Sequence, residues 1–599
     1  MEKILIKQGD VETSLLEKFA KTDALYEVSG TLDLKGGEVN VPEGCVVHFE
    51  AGSRIINGIL VLNNTQFTGA KHSIATEVSG TQYELDTDDF DLTNTNKVNI
   101  MQSIVNTATS IQLHGRLENV FDNIAINKAT SLIGYGAVII NNTQITSAIN
   151  ISTDDFVRIT DLDFEISSGN AIYKNATVTN DAKLSFIISN CKFKLTSNNT
   201  SASLIKLDYS REGNITDCFF TGYAYIGSST GVEYRRGIGI ERKDAVNTNV
   251  IGCMFSYLHY GIKATAVHVT PDSDHPGDAD DELYSKYACG LNVQSAVMIS
   301  CKYGIYIEGN DSFFLNNSMI DFCENPLVLK SQDGANITDN YFSTASVIFN
   351  GATMPAYNAT IAVCNNLSKT DANRNQRVII SGNTIYGHRT NNNYGIDMHV
   401  ESKDCTIQGN TIASCTNVGI HLVRGKSTWS IEKLVIDNNR LYLSENCFYG
   451  IGNESTDIET KFEGDSQIVL SNNRAISKIL GQALVAAASR KYGFYLYHNN
   501  HFRKAGNPPT DPLENKVFYE NEKSTTRLKL QLSIPSGSNS CQIPNPMGDD
   551  FNIAVYIANS NSPAPIYISF NTNMQTISFG TSYSLGISFT AIIEHLRNI

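Results

Sequence analysis

One short segment of the chain carries three ionisable side chains at alternate positions, a spacing that could support acid–base chemistry. The segment reads Gly395-Ile396-Asp397-Met398-His399-Val400-Glu401. Alternate residues of a β-strand share a face, so Asp397, His399 and Glu401 would point outward together while the apolar residues between them point inward. Carboxylate and imidazole groups on one face could act as acid and base in the cleavage of a glycosidic bond.

A second segment places a histidine at the equivalent position one repeat further on. Gly419-Ile420-His421-Leu422 aligns with Gly395-Ile396-Asp397-Met398. The alignment predicts that His421 lies beside Asp397 on the neighbouring strand, about 4.8 Å away. We therefore predict four catalytic residues, which are Asp397, His399, Glu401 and His421.

Three further residues are predicted to bind substrate. Arg424, shortly after His421, supplies a positive charge, while Tyr306 and Tyr495 offer aromatic faces on which sugar rings can stack. Outward positions of a solvated sheet are polar in any case, so these residues could also be ordinary surface residues without a catalytic role. The residues alone therefore leave open whether the chain is an enzyme.

Other polar clusters are interpreted as surface or turn residues. One consists of Asp154, Asp155, Asp161, Asp163 and Glu165, and another of Glu233, Tyr234, Arg235, Arg236 and Glu241. The acidic stretch 86–91 is interpreted as a solvated loop. The acidic loop 272–282 could hold a cation, although it lacks the spacing of an EF-hand. Neither a metal-ligand spacing nor a nucleotide-binding glycine loop is recognised, so no metal and no cofactor are predicted.

The elements that must position these residues form a repeat. Between residues 376 and 502, five apolar strands each run into a tight turn and then into another short strand. The turn asparagines lie 27 to 34 residues apart and are Asn383, Asn410, Asn439, Asn473 and Asn500. A period of this length predicts a solenoid. Asparagine tolerates the left-handed backbone that such a turn needs, and stacked asparagines can join their amides by hydrogen bonds.

A glycine marks the start of a third strand in each repeat. The glycines are Gly395, Gly419, Gly450 and Gly493. Three short strands per repeat predict a right-handed parallel β-helix. This pattern resembles the pectin-lyase-like β-helix proteins, whose turns carry asparagine ladders and which include lyases, hydrolases and adhesins. In the enzymes of that family the site lies on the outer face of the strand that this glycine opens, which is where Asp397 falls.

The chain is predicted to be all-β with four parts. A strand and a helix over 1–23 would cap the solenoid, the β-helix would cover 24–504, and a proline-rich linker would follow at 505–516. Residues 517–599 contain longer alternating strands and predict a small antiparallel β-sandwich. Short strands over 24–69 resemble the opening of β-helix proteins of tailed bacteriophages and gut bacteria. Phage tail β-helix proteins often end in a domain that trimerises or binds the host.

Composition narrows the possible partners. The net charge of −15 argues against nucleic acid, and the lack of a long apolar run argues against insertion into a membrane. The first ten residues do not have the pattern of a signal peptide, so we expect folding in a cytoplasm with reduced cysteines. Three of the twelve cysteines, Cys191, Cys218 and Cys253, fall where later repeats have asparagine and are interpreted as small buried side chains.

Taken with the resemblance, these features predict a bacteriophage tail spike or tail fibre. Such a protein would be a homotrimer in the virion tail, would bind a host cell-surface glycan, and would join other tail proteins through its N-terminal region. It could also depolymerise the glycan. The alternative is a free polysaccharide lyase or glycoside hydrolase of the same fold, and a purely structural tail protein is a weaker third possibility.

Overall fold

A computed structural model describes most of the first 442 residues of the chain and separate strands after them. The described ranges are 1–9, 17–175, 185–199, 201–228, 230–266, 289–309, 311–351, 357–364, 375–387, 394–399, 402–423, 433–442, 449–452, 467–477, 496–498, 501–504, 518–522, 525–534, 540–542, 552–558, 568–571, 576–579 and 587–596. The chain divides into two compact units. The first is Met1–Val267 with Tyr287–Lys302, and the second is His268–Lys286 with Tyr303–Ile599.

The first unit begins with parallel strands. Four of them form one sheet in chain order, Lys3–Lys7, Leu25–Ser29, Val46–Phe49 and Gln66–Gly69. The others are Thr31–Asp33, Glu38–Asn40, Arg54–Asn63, Ile74–Asp86, Ala108–Glu118 and Thr130–Asn141. Successive strands pair in parallel with aligned apolar positions, such as Val28 beside Phe49. The predicted early rungs at 24–69 are therefore present as parallel strands.

The rest of the first unit repeats three strands per rung, which stack into three parallel sheets. The first sheet holds the strands before the tight turn: Val157–Thr160, Phe186–Ser189, Gly213–Thr216, Thr248–Ile251 and Cys289–Gln294. The second sheet holds those after it: Asp163–Ile166, Lys192–Leu195, Phe219–Thr221, Met254–Ser256 and Val297–Ile299. The third sheet holds Ile124–Ile126, Ser147–Ile151, Asn170–Asn175, Ser203–Asp208, Ile238–Lys243 and Tyr260–Thr265. An antiparallel hairpin, Tyr223–Ile226 with Glu233–Arg236, lies between the second and third strands of one rung.

The second unit is also built from three parallel sheets, which are numbered in the same way. Its first sheet is Asp311–Asn316, Asp333–Thr338, Gln376–Ser381, Cys405–Gln408, Lys433–Asp437, Gln467–Ser471 and Leu496–His498. Its second sheet is Met319–Cys323, Tyr341–Thr344, Thr384–Tyr386, Thr411–Ala413, Arg440–Tyr442, Arg474–Ser477 and His501–Lys504. Its third sheet is Tyr303–Glu308, Asn325–Lys330, Ala359–Cys364, Tyr394–His399, Val418–Val423 and Tyr449–Gly452. The predicted parallel β-helix is confirmed in both units.

The core lies inside each stack of rungs, where side chains of the same type from successive rungs lie in columns. Phe164, Phe193, Phe220 and Phe255 form one such column in the first unit, with ring centroids 4.7 to 5.0 Å apart and nearly parallel planes. All four are buried. This column arises because parallel strands without a register shift place equivalent residues of successive rungs side by side.

The asparagine ladder of the second unit is confirmed for Asn383, Asn410, Asn439 and Asn473, and it begins one rung earlier than predicted, at Asn340. The Nδ2 groups of Asn340, Asn383, Asn410 and Asn439 each donate to the Oδ1 of the next asparagine, over 2.9 to 3.0 Å, and the last acceptor is Asn473. All five side chains are buried. The sequence around Asn340 was outside the repeat from which the ladder was predicted.

The predicted reason for asparagine at this turn was wrong in one respect. The left-handed residue is the one before the ladder asparagine: Asp339, Gly382, Gly409, Asn438 and Asn472 have φ between 52° and 69°. The ladder position requires asparagine because the side-chain amide forms hydrogen bonds with neighbouring rungs. The Nδ2 of Asn410, for example, also donates to the Ile380 carbonyl oxygen at 2.9 Å, so the side chain pairs backbone and amide at once.

Cysteines take the ladder position in the first unit. Cys191, Cys218 and Cys253 are fully buried, unbridged, and each follows a left-handed residue. Each thiol contacts a backbone carbonyl oxygen two residues earlier, over 3.2 to 3.5 Å. Hydrogen bonds from the flanking thiols of Cys191 and Cys253, followed by burial, raise the pKa of the Cys218 thiol. The interpretation of these residues as small buried side chains is confirmed.

Two features of residues 86–107 differ from the sequence interpretation. An α-helix, Lys97–Thr107, lies in a region that was expected to contain only strands, and its apolar residues Ile100, Met101 and Ile104 are buried. The acidic stretch 86–91 is not a solvated loop, because it forms a 3₁₀ turn at Thr87–Asp89 and buries Phe90 completely. A second 3₁₀ turn covers Phe349–Gly351.

The C-terminal strands form two antiparallel sheets, as the fold prediction requires. One has the order Phe518–Glu522, Thr525–Ile534, Ile587–Leu596, Asn552–Ala558, and the other Ser540–Gln542, Thr576–Phe579, Ile568–Asn571. Several predictions lie outside the described residues: the helix turns at 10–16, the acidic loop 272–282, Asn500 and the linker 505–516. No helix in the described part of the chain is long and apolar enough to span a membrane.

Candidate functional site

The predicted pairing of Asp397 with His421 is present on the third sheet of the second unit. Strands Tyr394–His399 and Val418–Val423 pair in parallel, with Asp397 opposite His421. The inward residues of both strands, Ile396, Met398, Ile420 and Leu422, are fully buried. The alternation of the strand therefore fixes Asp397 and His421 on the outer face.

The two side chains form a direct contact. The Nδ1 of His421 lies 2.8 Å from the Oδ1 of Asp397, and their side chains are 8% and 19% exposed. An ionised carboxylate can only accept a hydrogen bond, so the contact places the imidazole hydrogen on Nδ1. The Nε2 atom of a neutral His421 is then an acceptor, as in a base oriented by a carboxylate. Within the described part of the chain, no donor reaches the Oδ2 of Asp397.

An aromatic ring, which sequence reasoning did not assign to the site, holds the imidazole. The ring of Tyr394 stacks on that of His421, with centroids 4.0 Å apart and planes 15° apart. Both residues are buried to more than nine tenths. The signal in the sequence was a tyrosine directly before three of the four marking glycines, at Tyr394, Tyr449 and Tyr492.

Gly395 shows why glycine opens this strand. A Cβ atom at Gly395 would lie 2.5 Å from the Ile412 side chain and 2.6 Å from the carbonyl oxygen of Gly419. Neighbouring rungs and sheets leave no room for a side chain there. The glycine therefore permits the close rung contact that brings Asp397 and His421 together.

The outer row that contains Asp397 continues across the earlier rungs. Asp397 pairs with Ala362, Ala362 with Val328, and Val328 with Tyr306. Ala362 and Val328 are fully buried although they occupy outward positions. Tyr306 thus lies three strand spacings from Asp397, about 14 Å, and is not part of the same cluster.

Tyr306 belongs to a neighbouring polar group. Its hydroxyl donates to the Oε2 of Glu308 at 2.7 Å, and Glu308 pairs with Lys330 at 3.1 Å on the next strand. Burial raises the pKa of Tyr306, and its hydrogen bond to Glu308 adds to this. Burial also raises the pKa of the Cys364 thiol, the charge of Asp397 adds to the effect, and Lys330 opposes it. These groups are neutral or paired and are poor acids and bases.

The remaining predicted site residues are only partly located. His399 lies at the end of its strand opposite Val423 and not beside His421. Glu401, Arg424 and Tyr495 lie outside the described residues. The roles of all seven predicted residues remain predictions.

One ion pair on the third sheet of the first unit joins neighbouring rungs. Glu241 lies 2.9 Å from Lys263 and also accepts a 2.7 Å hydrogen bond from Ser203. Burial would raise the pKa of Glu241, but the Ser203 and Lys263 contacts outweigh it and the pKa is lowered. In the other acidic group, Asp163 and Glu165 pair with exposed Lys192 and Lys194, and Asp161 is a left-handed turn residue. The interpretation is confirmed for Asp161 as a turn residue and for Asp163 and Glu165 as surface residues. It was wrong for the group that contains Arg235 and Glu241, because Arg235 is buried and Glu241 is half-buried.

One group of potential metal ligands was not recognised in the sequence. Single ligand atoms of Asp86, Asp88 and His114 lie within 4.8 Å of one another. The ammonium of Lys71 is already 3.3 Å from Asp86 and 2.8 Å from Asp89. This positive charge compensates the carboxylates, so the group is explained by ion pairing.

Comparisons with known proteins agree with the strand arrangement. Residues 284–463 match the family model for a right-handed beta helix region. None of the curated proteins compared with the chain matches it.

Several solved structures are similar. The Dettilon tailspike protein has 12% identity and a TM-score of 0.39, covering 86% of this chain and 94% of that one. The tailspike protein of Escherichia coli bacteriophage HK620, a D339N variant solved with a pentasaccharide, has 12% identity and a TM-score of 0.35, covering 96% and 87%. The A-module of the mannuronan C-5 epimerase of Azotobacter vinelandii has 12% identity and a TM-score of 0.28, covering 63% and 90%. With identities and TM-scores this low, none of these structures supports an inference about activity or ligand. The paired strands and the family model together establish that the chain is a right-handed parallel β-helix protein.

Proposed function

We propose that the chain is a bacteriophage tail spike or tail fibre protein that binds a host cell-surface polysaccharide. The binding face would be the outer face of the third sheet of the second unit, around Asp397, His421 and Tyr394. The observation that carries the proposal is the Asp397–His421 contact of 2.8 Å, held on two rigid strands and stacked on Tyr394.

This arrangement suits recognition of sugar hydroxyls. The Oδ1 of Asp397 is engaged by His421, and its Oδ2 has no donor among the described residues. A partly exposed carboxylate oxygen can accept a hydrogen bond from a sugar hydroxyl, and such charge-assisted bonds are stronger than neutral ones. Because the strands and the stacked ring already fix the acceptor, binding would require little ordering of the protein.

Depolymerisation is a separate and more demanding possibility. The oriented imidazole of His421 could act as a base, which would suit a lyase or hydrolase. Glycoside hydrolysis requires two carboxyl groups about 5 to 10 Å apart across the bond. On this face, the next described carboxylate along the sheet is Glu308, which is engaged by Tyr306 and Lys330. Binding is therefore favoured over cleavage, and a free lyase or hydrolase is the alternative.

The assembly that we propose is a homotrimer in the virion tail, joined to other tail proteins by the N-terminal region. The support is the sequence resemblance together with exposed apolar side chains on the first sheet of the second unit. Phe314 is 46% exposed and Ile379 38% exposed in one outward row. Exposed apolar side chains in one row can contribute to a contact between copies of the chain.

Purified capsular polysaccharide from bacteria that bind the chain provides the test. We expect the native chain to bind it and Asp397→Asn to weaken binding about tenfold or more, because a charged acceptor is lost. Asp163→Asn is the matched control, since Asp163 is an exposed carboxylate on another sheet. Equal binding by native and Asp397→Asn chains would contradict the proposal. Chromatography of the same mixtures for released oligosaccharides separates binding from cleavage.

A further inference from the structure

The antiparallel hairpin of the first unit departs from the plan of the β-helix. Strands Tyr223–Ile226 and Glu233–Arg236 pair with Tyr225 opposite Tyr234 and Tyr223 opposite Arg236. Alternation therefore puts three tyrosines and one arginine on one face of the hairpin. All four side chains are half-buried, so part of this face meets solvent.

The opposite face of the hairpin anchors it to the β-helix. Arg235 is buried, and its Nε donates to the Ser300 carbonyl oxygen at 2.9 Å. Its guanidinium also pairs with Glu233 at 2.9 Å and lies 5.4 Å from the Tyr257 ring. These contacts reach two later rungs, so the hairpin is held at a fixed position.

The tyrosine face is already organised as a stack. The rings of Tyr225 and Tyr234 are 4.6 Å apart and nearly parallel. The Arg236 guanidinium carbon lies 4.9 Å from the Tyr234 ring and 5.8 Å from the Tyr225 ring, and its Nη2 donates to the Tyr225 hydroxyl at 3.3 Å. Tyr223 lies beside Tyr225, with ring centroids 5.8 Å apart.

Arg236 differs from its neighbours in having no carboxylate partner. Glu233 pairs with Arg235, and Glu241 pairs with Lys263. Among the described residues, no acidic side chain pairs with Arg236, and its Nε is buried without a hydrogen-bond acceptor. A guanidinium charge that no carboxylate neutralises can pair with the carboxylate of a ligand.

The surroundings of Arg236 are positive although the chain as a whole is acidic. Arg235, Lys263 and Lys302 lie near it. Burial is the main reason that the pKa of the nearby His259 is lowered to about 4; the charges of Lys302, Arg236 and Lys263 add to this, and a backbone hydrogen bond with Arg235 opposes it. His259 is therefore neutral near pH 7 and does not add a charge. A positive local potential in a chain of net charge −15 is suited to an anion.

We propose that Tyr225, Tyr234 and Arg236 form a second glycan-binding site, specific for a sugar that carries a carboxylate. The tyrosine rings would pack against the apolar face of the pyranose, and the guanidinium would pair with its carboxylate. The site rests on residues of the first unit only and is independent of the face around Asp397. A glycan recognised here is an acidic polysaccharide, such as one built with uronic or sialic acids.

Isothermal titration calorimetry of the full chain tests the proposed preference for a sugar carboxylate. The ligands are trigalacturonate and 3′-sialyllactose, and the affinity for each is compared with the affinity for its methyl ester. We expect at least one acid to bind about tenfold or more tightly than its neutral ester. Arg236→Gln should remove this preference, and Arg236→Lys should keep part of it. Tyr234→Ala should weaken both forms of the sugar about three- to tenfold.

Matched controls separate this site from other causes. Arg158→Gln and Tyr83→Ala alter exposed residues of the same unit and should leave affinity unchanged. The measured quantity is the preference for the acid over its ester, which the carboxylate of Asp397 would not produce, so failure of this proposal is distinct from failure of the proposed function. The inference is overturned if neither acid binds, if the esters bind as tightly as the acids, or if folded Arg236→Gln keeps the preference.

Discussion

Buried polar side chains are the residue-scale feature that most shapes this chain, and they are of two kinds. Asn410 is fully paired, because it donates to Asn439 and to the Ile380 carbonyl oxygen and accepts from Asn383. Lys174 is buried with a single described hydrogen bond, to the Thr153 carbonyl oxygen at 2.8 Å. The first kind stabilises the stack, whereas the second carries the cost of a buried charge.

Replacing a ladder asparagine should be destabilising. We expect Asn410→Leu to lower the free energy of unfolding by about 1–3 kcal/mol, because the change leaves buried partners unpaired in both neighbouring rungs. Guanidinium unfolding monitored by circular dichroism measures the effect. Gln408→Leu is the control, since Gln408 is exposed in the same rung and its loss should have little effect. Equal stability of Asn410→Leu and the native chain would show that the ladder does not stabilise the fold.

Lys174 should make the free energy of unfolding depend on pH in the alkaline range. Burial lowers its pKa to about 8, so between that value and its ordinary value of 10.5 the unfolded chain binds more protons and stability rises with pH. We expect the stability of Lys174→Met, relative to the native chain, to fall by about 1–3 kcal/mol from about pH 7 to about pH 10. Denaturant unfolding at both pH values measures this difference. Lys194→Met replaces an exposed, paired lysine, so its stability relative to the native chain should not change with pH. The assignment would be contradicted if the difference in stability between Lys174→Met and the native chain were the same at both pH values.

For the strands and turns, the sequence predicted those features that recur in neighbouring rungs. The asparagine and glycine spacing predicted the turns and the Asp397–His421 register. The register is well defined because a shift by one residue would turn the apolar side chains of a strand out of the core. The helix Lys97–Thr107 was missed, since its apolar residues lie in a stretch that otherwise alternates like strands. The pairing of the hairpin strands and the stacking of Tyr394 on His421 depend on side-chain packing between elements, which a single sequence does not specify.

At the scale of the whole molecule, the C-terminal residues are expected to hold the assembly together. A chain that ends at Lys504 keeps the last described β-helix strand and removes the predicted linker and sandwich. The removed strands are too few to build a large core alone, so we expect them to be stabilised between copies of the chain.

Light scattering on this truncated chain should show loss of the trimer at concentrations where the full chain is trimeric. Circular dichroism would show whether the β-helix is retained. A stable trimer after truncation would contradict the expected role of residues 517–599. The interface would then be sought on the first sheet of the second unit, at Phe314 and Ile379.

We propose that the face around Asp397 and His421 binds the surface glycan of a host. Adsorption of the fluorescently labelled chain to bacteria tests this role, with a panel of strains screened first to find those that bind the native chain. We expect the combined variant Asp397→Ala, His399→Ala, His421→Ala to lose adsorption about tenfold or more while keeping its fold and assembly. Adsorption equal to that of the native chain, or a native chain that adsorbs to none of the strains, would contradict the claim.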